Sequence, residues 1–349
     1  MDKKNEISKL VDYDDATYHP SVQALQKLVA GMNRPTPQRA IVKGKIARTD
    51  GFDVDGIIDF LENKMNALPD GSKEKIQLKN QISGTLSVSD LTEKLYIRFA
   101  NNKNSLFNWI SEVQHALKNT NTELLSPKTK VYRLPIELAQ FIRIEYHETS
   151  AEDKALFNQI IFEKFGLEDG KTYFIKTGNF SSKFQFANAK CSEPREMGEY
   201  FQVINNFAMS VGAAQTIDLV VREYIEDVEN NPTIYNGMPL RTEFRAFVDC
   251  DKEELIGIVP YWHPIVMKRA LKMGLSDSMV ADYQTYQNHE DKLMAEYNHY
   301  LPRVRKAIQE MLPELKLEGQ YSIDVMKNGD DLYVIDLALM SESALTELL

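Results

Sequence analysis

Four stretches of the sequence concentrate side chains that can handle charged ligands. In TYFIKTGNFSSKFQF, residues 172–186, an apolar run ends at Lys176 and a loop of small polar residues follows, with Lys183 further on. A lysine at a strand end reaches a phosphate as a point charge. The small residues Thr177, Gly178, Asn179, Ser181 and Ser182 let backbone N–H groups approach phosphate oxygens. The GxxxxGK[ST] spacing of a Walker A loop is absent. In LVVREYIEDV, residues 219–228, a strand with one buried face runs into a polar connector. Its backbone can hydrogen-bond the edge of a flat heterocycle while Tyr224 or Ile225 packs on the ring.

In RTEFRAFVD, residues 241–249, a period of two puts Glu243, Arg245, Phe247 and Asp249 on one face and Phe244, Ala246 and Val248 on the other. A carboxylate and a guanidinium pointing the same way suit ribose hydroxyls beside phosphate. The fourth stretch, YSIDVMKNGDDLYVIDLALMSESAL, residues 321–345, holds two apolar strands, each with one isolated carboxylate, Asp324 and Asp336. Lone carboxylates among apolar neighbours call for a cation or hydrogen bonds, and oxygen ligands suit Mg2+. The register is constrained. A two-residue turn at Asn328-Gly329, the strongest local signal, pairs Asp324 with Tyr333 and leaves the two aspartates on opposite faces. The pair shares a face only with an odd loop or a bulge.

The elements that must position these residues change character near residue 126. Before it the reading is mainly helical, with candidates at 21–30, 54–67, 87–100 and 105–118 and one β-like stretch at 40–47. Leu106, Trp109, Ile110, Val113 and Leu117 make one apolar stripe. Residues 126–130 read as a polar connector, and short helices are expected at 133–147 and 158–165. Strands are expected at 172–176, 219–226, 242–249, 255–259, 321–326 and 332–337, interrupted by long helices at 194–211 and 276–311. This order predicts an α+β fold with antiparallel pairing, divided into a helical region, 1–125, and a second region, 126–349, whose binding core spans 171–345.

Composition narrows the class. A chain of 349 residues, 43% of them hydrophobic and with 16 Phe and 16 Tyr, suits two packed lobes. Two cysteines, Cys191 and Cys250, exclude a disulfide scaffold and fit a reducing compartment. No apolar run is long enough to cross a bilayer, and the charged start MDKKNEISKLVDYDD lacks a secretory pattern. A cytoplasmic protein without a membrane partner is expected. The formal charge of −10 argues against a duplex-DNA partner. The basic clusters Lys268, Arg269, Lys272 and Arg303, Arg305, Lys306 read as solvated helix faces.

The ordered series of Lys176 and its loop, Arg222-Glu223-Tyr224-Ile225, Glu243-Phe244-Arg245, then Asp324 and Asp336 resembles the ATP-grasp superfamily over residues 171–345. The resemblance implies a two-lobed ATP-grasp architecture with a mainly helical N-terminal addition. It implies ATP held by Lys176 at the phosphates, by the backbone of Glu223 to Ile225 at adenine and by Glu243 at ribose, with Mg2+ on Asp324 and Asp336. Within the superfamily the chain is similar to a phage and bacterial clade of proposed RNA ligases, whose arginine and paired lysines correspond to Arg245, Lys176 and Lys183. It is similar also to the eukaryotic factor that assembles translation initiation factor two. Lys176 and Arg245 are thereby the expected catalytic pair of an ATP-dependent ligase, of acyl-phosphate type or RNA-joining, with a small-molecule, peptide or RNA acceptor. A non-catalytic ATP-binding assembly protein is the alternative. The chain departs from the family at Ala338, where a metal-binding Asn is usual, with Ser341, Glu342 or Ser343 as substitutes, and at Ser322, where a basic residue is common; Arg245 is a candidate for the missing charge. Lys128 and Lys130 are candidates for the family's first lysine, and His147 and His263 for a general base. Tyr261, Trp262 and His263 are candidates to line a substrate pocket.

Overall fold

A computed structural model describes residues 54–271 and 277–349. The expected helix at 21–30, the β-like stretch at 40–47 and Lys272 lie outside the described residues. In chain order the elements are α1 (Val54–Asn66), α2 (Lys73–Val88), α3 (Glu93–Ala100), α4 (Leu106–Asn119), β1 (Thr129–Arg133), α5 (Ile136–Phe141), α6 (Ala151–Phe165), β2 (Tyr173–Thr177), α7 (Phe186–Ala189), β3 (Lys190–Cys191), α8 (Met197–Ser210), β4 (Asp218–Glu223), β5 (Thr233–Ile234), β6 (Met238–Pro239), β7 (Glu243–Asp249), β8 (Glu254–Pro260), α9 (Pro264–Leu271), α10 (Asp277–Met311), β9 (Gln320–Asn328) and β10 (Asp331–Leu339). The fold is α+β, and every strand pairing within its sheets is antiparallel.

Two four-stranded sheets dominate, ordered β1-β4-β2-β3 and β10-β9-β7-β8. The first shares a core with α1–α3, α5, α6 and α8, through Ile175, Leu219, Val221, Phe157, Phe201, Leu95 and Phe99. The second packs Phe244, Ala246, Val248, Ile323 and Val325 against Trp109, Ile110 and Val113 of α4 and Val304, Ile308 and Met311 of α10. The described helices before residue 120 therefore share these two cores; α1–α3 complete one lobe and α4 the other. Burying side chains of this size stabilises by roughly 1.5–3 kcal/mol each.

Local chemistry explains most boundaries. One expected helix at 87–100 is two: Ser89 ends α2, and Thr92 opens α3 by accepting the Leu95 N–H at 3.2 Å. Helix α6 starts at a Ser150 cap and stops at Gly166, whose φ of 54° is left-handed. The residues read as a connector, 126–130, instead open β1, which pairs with β4 from Thr129↔Arg222 to Arg133↔Asp218, and the helix expected at 133–147 is the shorter α5. Strand β4 ends at Glu223 rather than Glu226.

At the seam between the lobes, buried Asp218 on β4 accepts from Arg133 at 2.8 Å and from the Ser105 hydroxyl at 2.5 Å. The Asp218 carbonyl accepts the Gly178 N–H at 2.8 Å, and the Leu106 N–H donates to the Gly178 carbonyl at 2.8 Å. A Cβ at Gly178 would lie 2.2 Å from Ser105 Oγ. The loop after β2 is thus seated on the start of α4, and only glycine permits that approach.

Candidate functional site

The two sheets enclose a cleft. Lys176 of β2 and Arg222 of β4 enter it from the first sheet, and Glu243 of β7, Asp324 of β9 and Asp336 of β10 from the second. Lys183, Glu223, Tyr224 and Ile225 complete its wall. Arg245 reaches it through Asp324, its register partner on β9. Alternation on β7 sends Phe244, Ala246 and Val248 into the core, which leaves Glu243 and Arg245 on the cleft side.

The charges are arranged as crossed pairs. Lys176 Nζ donates to both Asp336 oxygens, at 2.9 and 3.0 Å, spanning the cleft from sheet to sheet. Arg245 binds Asp324 with Nε and Nη2, both at 2.8 Å, the bidentate geometry of a strong pair. Burial pushes the Lys176 ammonium below the ordinary lysine range, against the pull of Asp336. Burial also opposes the charge of Arg245, yet Asp324 beside it holds its pKa above the ordinary arginine value. Burial lowers Arg222 to about 10. The Glu243 carboxylate receives no hydrogen bond from any described residue. Burial raises its carboxyl to about 7, although Lys183 and the nearby arginines pull it down.

The hairpin resolves its register by a bulge. Its turn is Gly329-Asp330, one residue later than the Asn328-Gly329 signal, because Asn328 pairs with Asp331. Gly329 takes a positive φ of 61°. This even loop alone would put Asp336 on the wrong face. The register shifts between Val334 and Asp336, leaving Ile335 extra and setting Asp336 directly opposite Asp324. The Ile335 carbonyl, released from the ladder, accepts from Arg222 Nη1 across the cleft. The Nε of Arg222 is buried without a partner.

Part of the cleft wall is apolar. Phe174, Phe186, Met238, Pro239, Met326 and Ile335 line it, and Tyr224 stands beside Lys190, whose Nζ lies 4.2 Å from the ring centroid. Sequence reasoning missed these walls, since such residues look like ordinary core. It also missed Arg241, which is buried and donates to the Ile225 carbonyl at 2.7 Å and to Asp227 at 3.2 Å. Asn328 Nδ2 donates to the Glu226 carbonyl at 3.0 Å. The segment after β4 is therefore held firmly, while the Ile225 N–H meets no acceptor among the described residues.

Several expected candidates stand elsewhere. Lys128 lies 3.7 Å from Glu223 at an exposed edge, and Lys130 donates to the Phe165 carbonyl; neither lines this cleft. His147 and His263 are outside it, whereas Tyr261 and Trp262 line it. Glu342 accepts from Asn104 at 2.6 Å, and Ser343 Oγ meets Ser322 Oγ at 2.7 Å, so neither turns toward the aspartate pair as a free ligand. Ser341 is exposed, and its carbonyl accepts from Lys79 at 3.0 Å. Among the described residues no three His, Cys, Asp or Glu side chains gather as a metal cluster. The opposed carboxylates of Asp324 and Asp336 still offer hard oxygen donors on one face, which fits a Mg2+ that keeps several of its waters. No described helix is long and apolar enough to cross a membrane.

No protein-family model matches the chain, and no curated protein matches it. Among solved structures, C-terminally truncated Cdc123 from Schizosaccharomyces pombe is similar at 16% identity, with a TM-score of 0.41, over 74% of this chain and 90% of that one. D-alanine–D-alanine ligase from Bacillus anthracis complexed with ATP is similar at 11% identity, with a TM-score of 0.30, over 82% of each chain. Phosphoribosylglycinamide synthetase from Anaerococcus prevotii is similar at 13% identity, with a TM-score of 0.26, over 80% of this chain and 54% of that one.

Proposed function

We propose that the cleft binds ATP with Mg2+ and that the protein is an ATP-dependent ligase of ATP-grasp type. The observation that carries this reading is one cleft that combines apolar walls, a backbone N–H at Ile225 with no acceptor among the described residues, and the cations Lys176, Lys183 and Arg222, with Arg245 behind Asp324. A purine fits the apolar walls and a polyphosphate fits the cations. The Ile225 N–H can donate to the acceptor N1 of adenine but meets a competing donor at N1 of guanine. The unpaired Glu243 carboxylate suits ribose hydroxyls. Asp324 and Asp336 would hold Mg2+, which screens the phosphate charge when bound.

In this reading the residues act by position and charge rather than by covalent chemistry. Lys176 and Arg245 would neutralise phosphate charge, and the carboxylates they now pair with, Asp336 and Asp324, would hold the metal. In acyl-phosphate ligation an acceptor carboxylate attacks the γ-phosphorus and ADP leaves; a nucleophile then displaces inorganic phosphate. RNA joining is the variant of this activity suggested by the phage-clade resemblance. A second reading, an ATP-binding assembly protein without turnover, is favoured by Ala338, which offers no ligand where the resembling enzymes carry Asn.

The test is calorimetric binding of ATP and GTP with Mg2+, followed by product-resolved nucleotide turnover over pools of small acids, amines, peptides and RNA. ATP is expected to bind at least about tenfold more tightly than GTP, the discrimination one hydrogen bond confers. Lys176→Ala or Arg245→Ala should lower turnover by about a hundredfold or more. Equal affinity for ATP and GTP would sink the adenine assignment. Tight ATP binding with no turnover in any pool would select the assembly reading.

A further inference from the structure

Lys176 and Arg245 each rest on a carboxylate, whereas Lys183 does not. No described carboxylate lies within ion-pair distance of Lys183. Its Nζ instead contacts the Tyr261 hydroxyl and lies 4.4 Å from that ring's centroid, with the Phe184 and Trp262 rings at 5.5 and 5.7 Å. A phenol oxygen orients an ammonium without cancelling its charge, so this cation stays available to an anion. The same tyrosine serves a second cation, because the Arg245 guanidinium carbon lies 4.7 Å over its ring.

Tyr261 is itself well anchored. It follows β8, and its N–H donates to the Glu243 carbonyl at 2.9 Å. Its ring meets Trp262 edge-on at 5.1 Å, and the Trp262 carbonyl accepts from the buried Tyr286 of α10 at 2.9 Å. Lys183, by contrast, sits on the loop after β2, directly after Ser182, whose φ of 48° is left-handed. A long flexible side chain on a loop loses more conformational entropy when it binds than one already held.

We propose that Tyr261 is a positioning residue for polyphosphate recognition, holding Lys183 in the cleft wall without a carboxylate in ion-pair contact and stacking Arg245 beside it. This rests on the nucleotide reading above. Tyr261 acts through the two cations, so its effect depends on their presence.

The experiment is calorimetric ATP binding with Mg2+ to the wild type, Tyr261→Phe, Lys183→Met, the double variant, and Tyr261→Leu in both backgrounds. Tyr261→Phe removes one oxygen and keeps the ring, so folding is preserved. It should weaken ATP binding by roughly tenfold, as for a hydrogen bond to a charged group. In the Lys183→Met background the same change should cost less than about twofold, since the partner is gone. Tyr261→Leu should cost a further several-fold in both backgrounds, because it strips the ring from Arg245. Wild-type affinity in Tyr261→Phe overturns the inference while leaving the nucleotide site standing. Losses that simply multiply in the double variant overturn it as well, because Tyr261 then acts independently of Lys183. A wild type that binds no ATP removes the nucleotide reading and this inference together.

Discussion

Replacing Glu243 by Gln should stabilise the free protein and weaken its hold on ATP. The Glu243 carboxyl lies in the cleft without a hydrogen-bond donor among the described residues, and burial raises it from 4.5 to about 7. The native protein therefore keeps a proton that the unfolded chain has already released. Stability contributed this way is fully present below about pH 4.5 and is lost as pH rises through about 7. A shift of about 2.5 units at 1.36 kcal/mol per unit gives about 3 kcal/mol, and residual solvent access brings that to about 2–3 kcal/mol. Gln cannot ionise and has nearly the same shape. Urea unfolding followed by circular dichroism at pH steps from 4.5 to 8 should show the two proteins alike at the acid end. The variant should lead by about 2–3 kcal/mol at pH 8. ATP affinity should move the other way: in the wild type it climbs between about pH 6 and 8 as the carboxylate forms, and in the variant it is lower and flat. Parallel stability curves would show that Glu243 carries no buried-charge penalty, and the reasoning fails. Stability surrendered for function in this manner is common at binding sites.

Three further outcomes follow from the same geometry. Gly178→Ala places a Cβ 2.2 Å from Ser105 Oγ and 3.1 Å from Thr216; it should destabilise by about 1–3 kcal/mol and displace the loop bearing Lys183, and unchanged melting and ATP affinity would count against the seating of that loop on α4. Arg133→Met strands the buried Asp218 carboxylate and should cost about 3–5 kcal/mol in denaturant unfolding, with Asp218→Asn recovering part of the loss in the double variant; an unaffected midpoint would refute the pair's role at the lobe seam. Removing Mg2+ with a chelator should weaken ATP binding by at least about tenfold, and Asp324→Asn should remove most of that dependence; identical titrations with and without the metal would dismiss Asp324 and Asp336 as its ligands.

The charged members of the cleft were legible because polar residues in apolar strands are conspicuous. Glu243 and Arg245 follow from alternation, Asp324 and Asp336 stand out as lone carboxylates in apolar strands, and the need for an odd loop or a bulge follows from counting residues between the two aspartates. Where the bulge falls does not follow, because it depends on Arg222 of a different sheet capturing the Ile335 carbonyl. Strand β1, TKVYR, escaped notice since its conformation is secured by pairing with β4 rather than by local preference. Helix α2 carries a readable stripe in Leu78, Ile82 and Leu86, diluted by polar neighbours. The apolar walls Phe174, Met238 and Met326 have no sequence signature separate from core packing. Arg241 could have been found as a buried-side partner for the polar segment after β4, but nothing local points to Ile225 as its target.

The extra residue at Ile335 also bears on how the cleft opens. The Lys176–Asp336 pair and the Arg222–Ile335 hydrogen bond both run from one sheet to the other, so separating the lobes breaks both at once. They differ in what a nucleotide does to them. A phosphate and its metal can take over Lys176 and Asp336, whereas for the Ile335 carbonyl lobe separation exchanges the Arg222 bond for one to water. The bulge thus sets a toll on lobe separation that persists with ligand in place. Its natural readout is kinetic: deleting Ile335 would restore a regular ladder with the aspartates still opposed, and nucleotide would then leave faster, with the lost apolar wall adding to a fall in affinity.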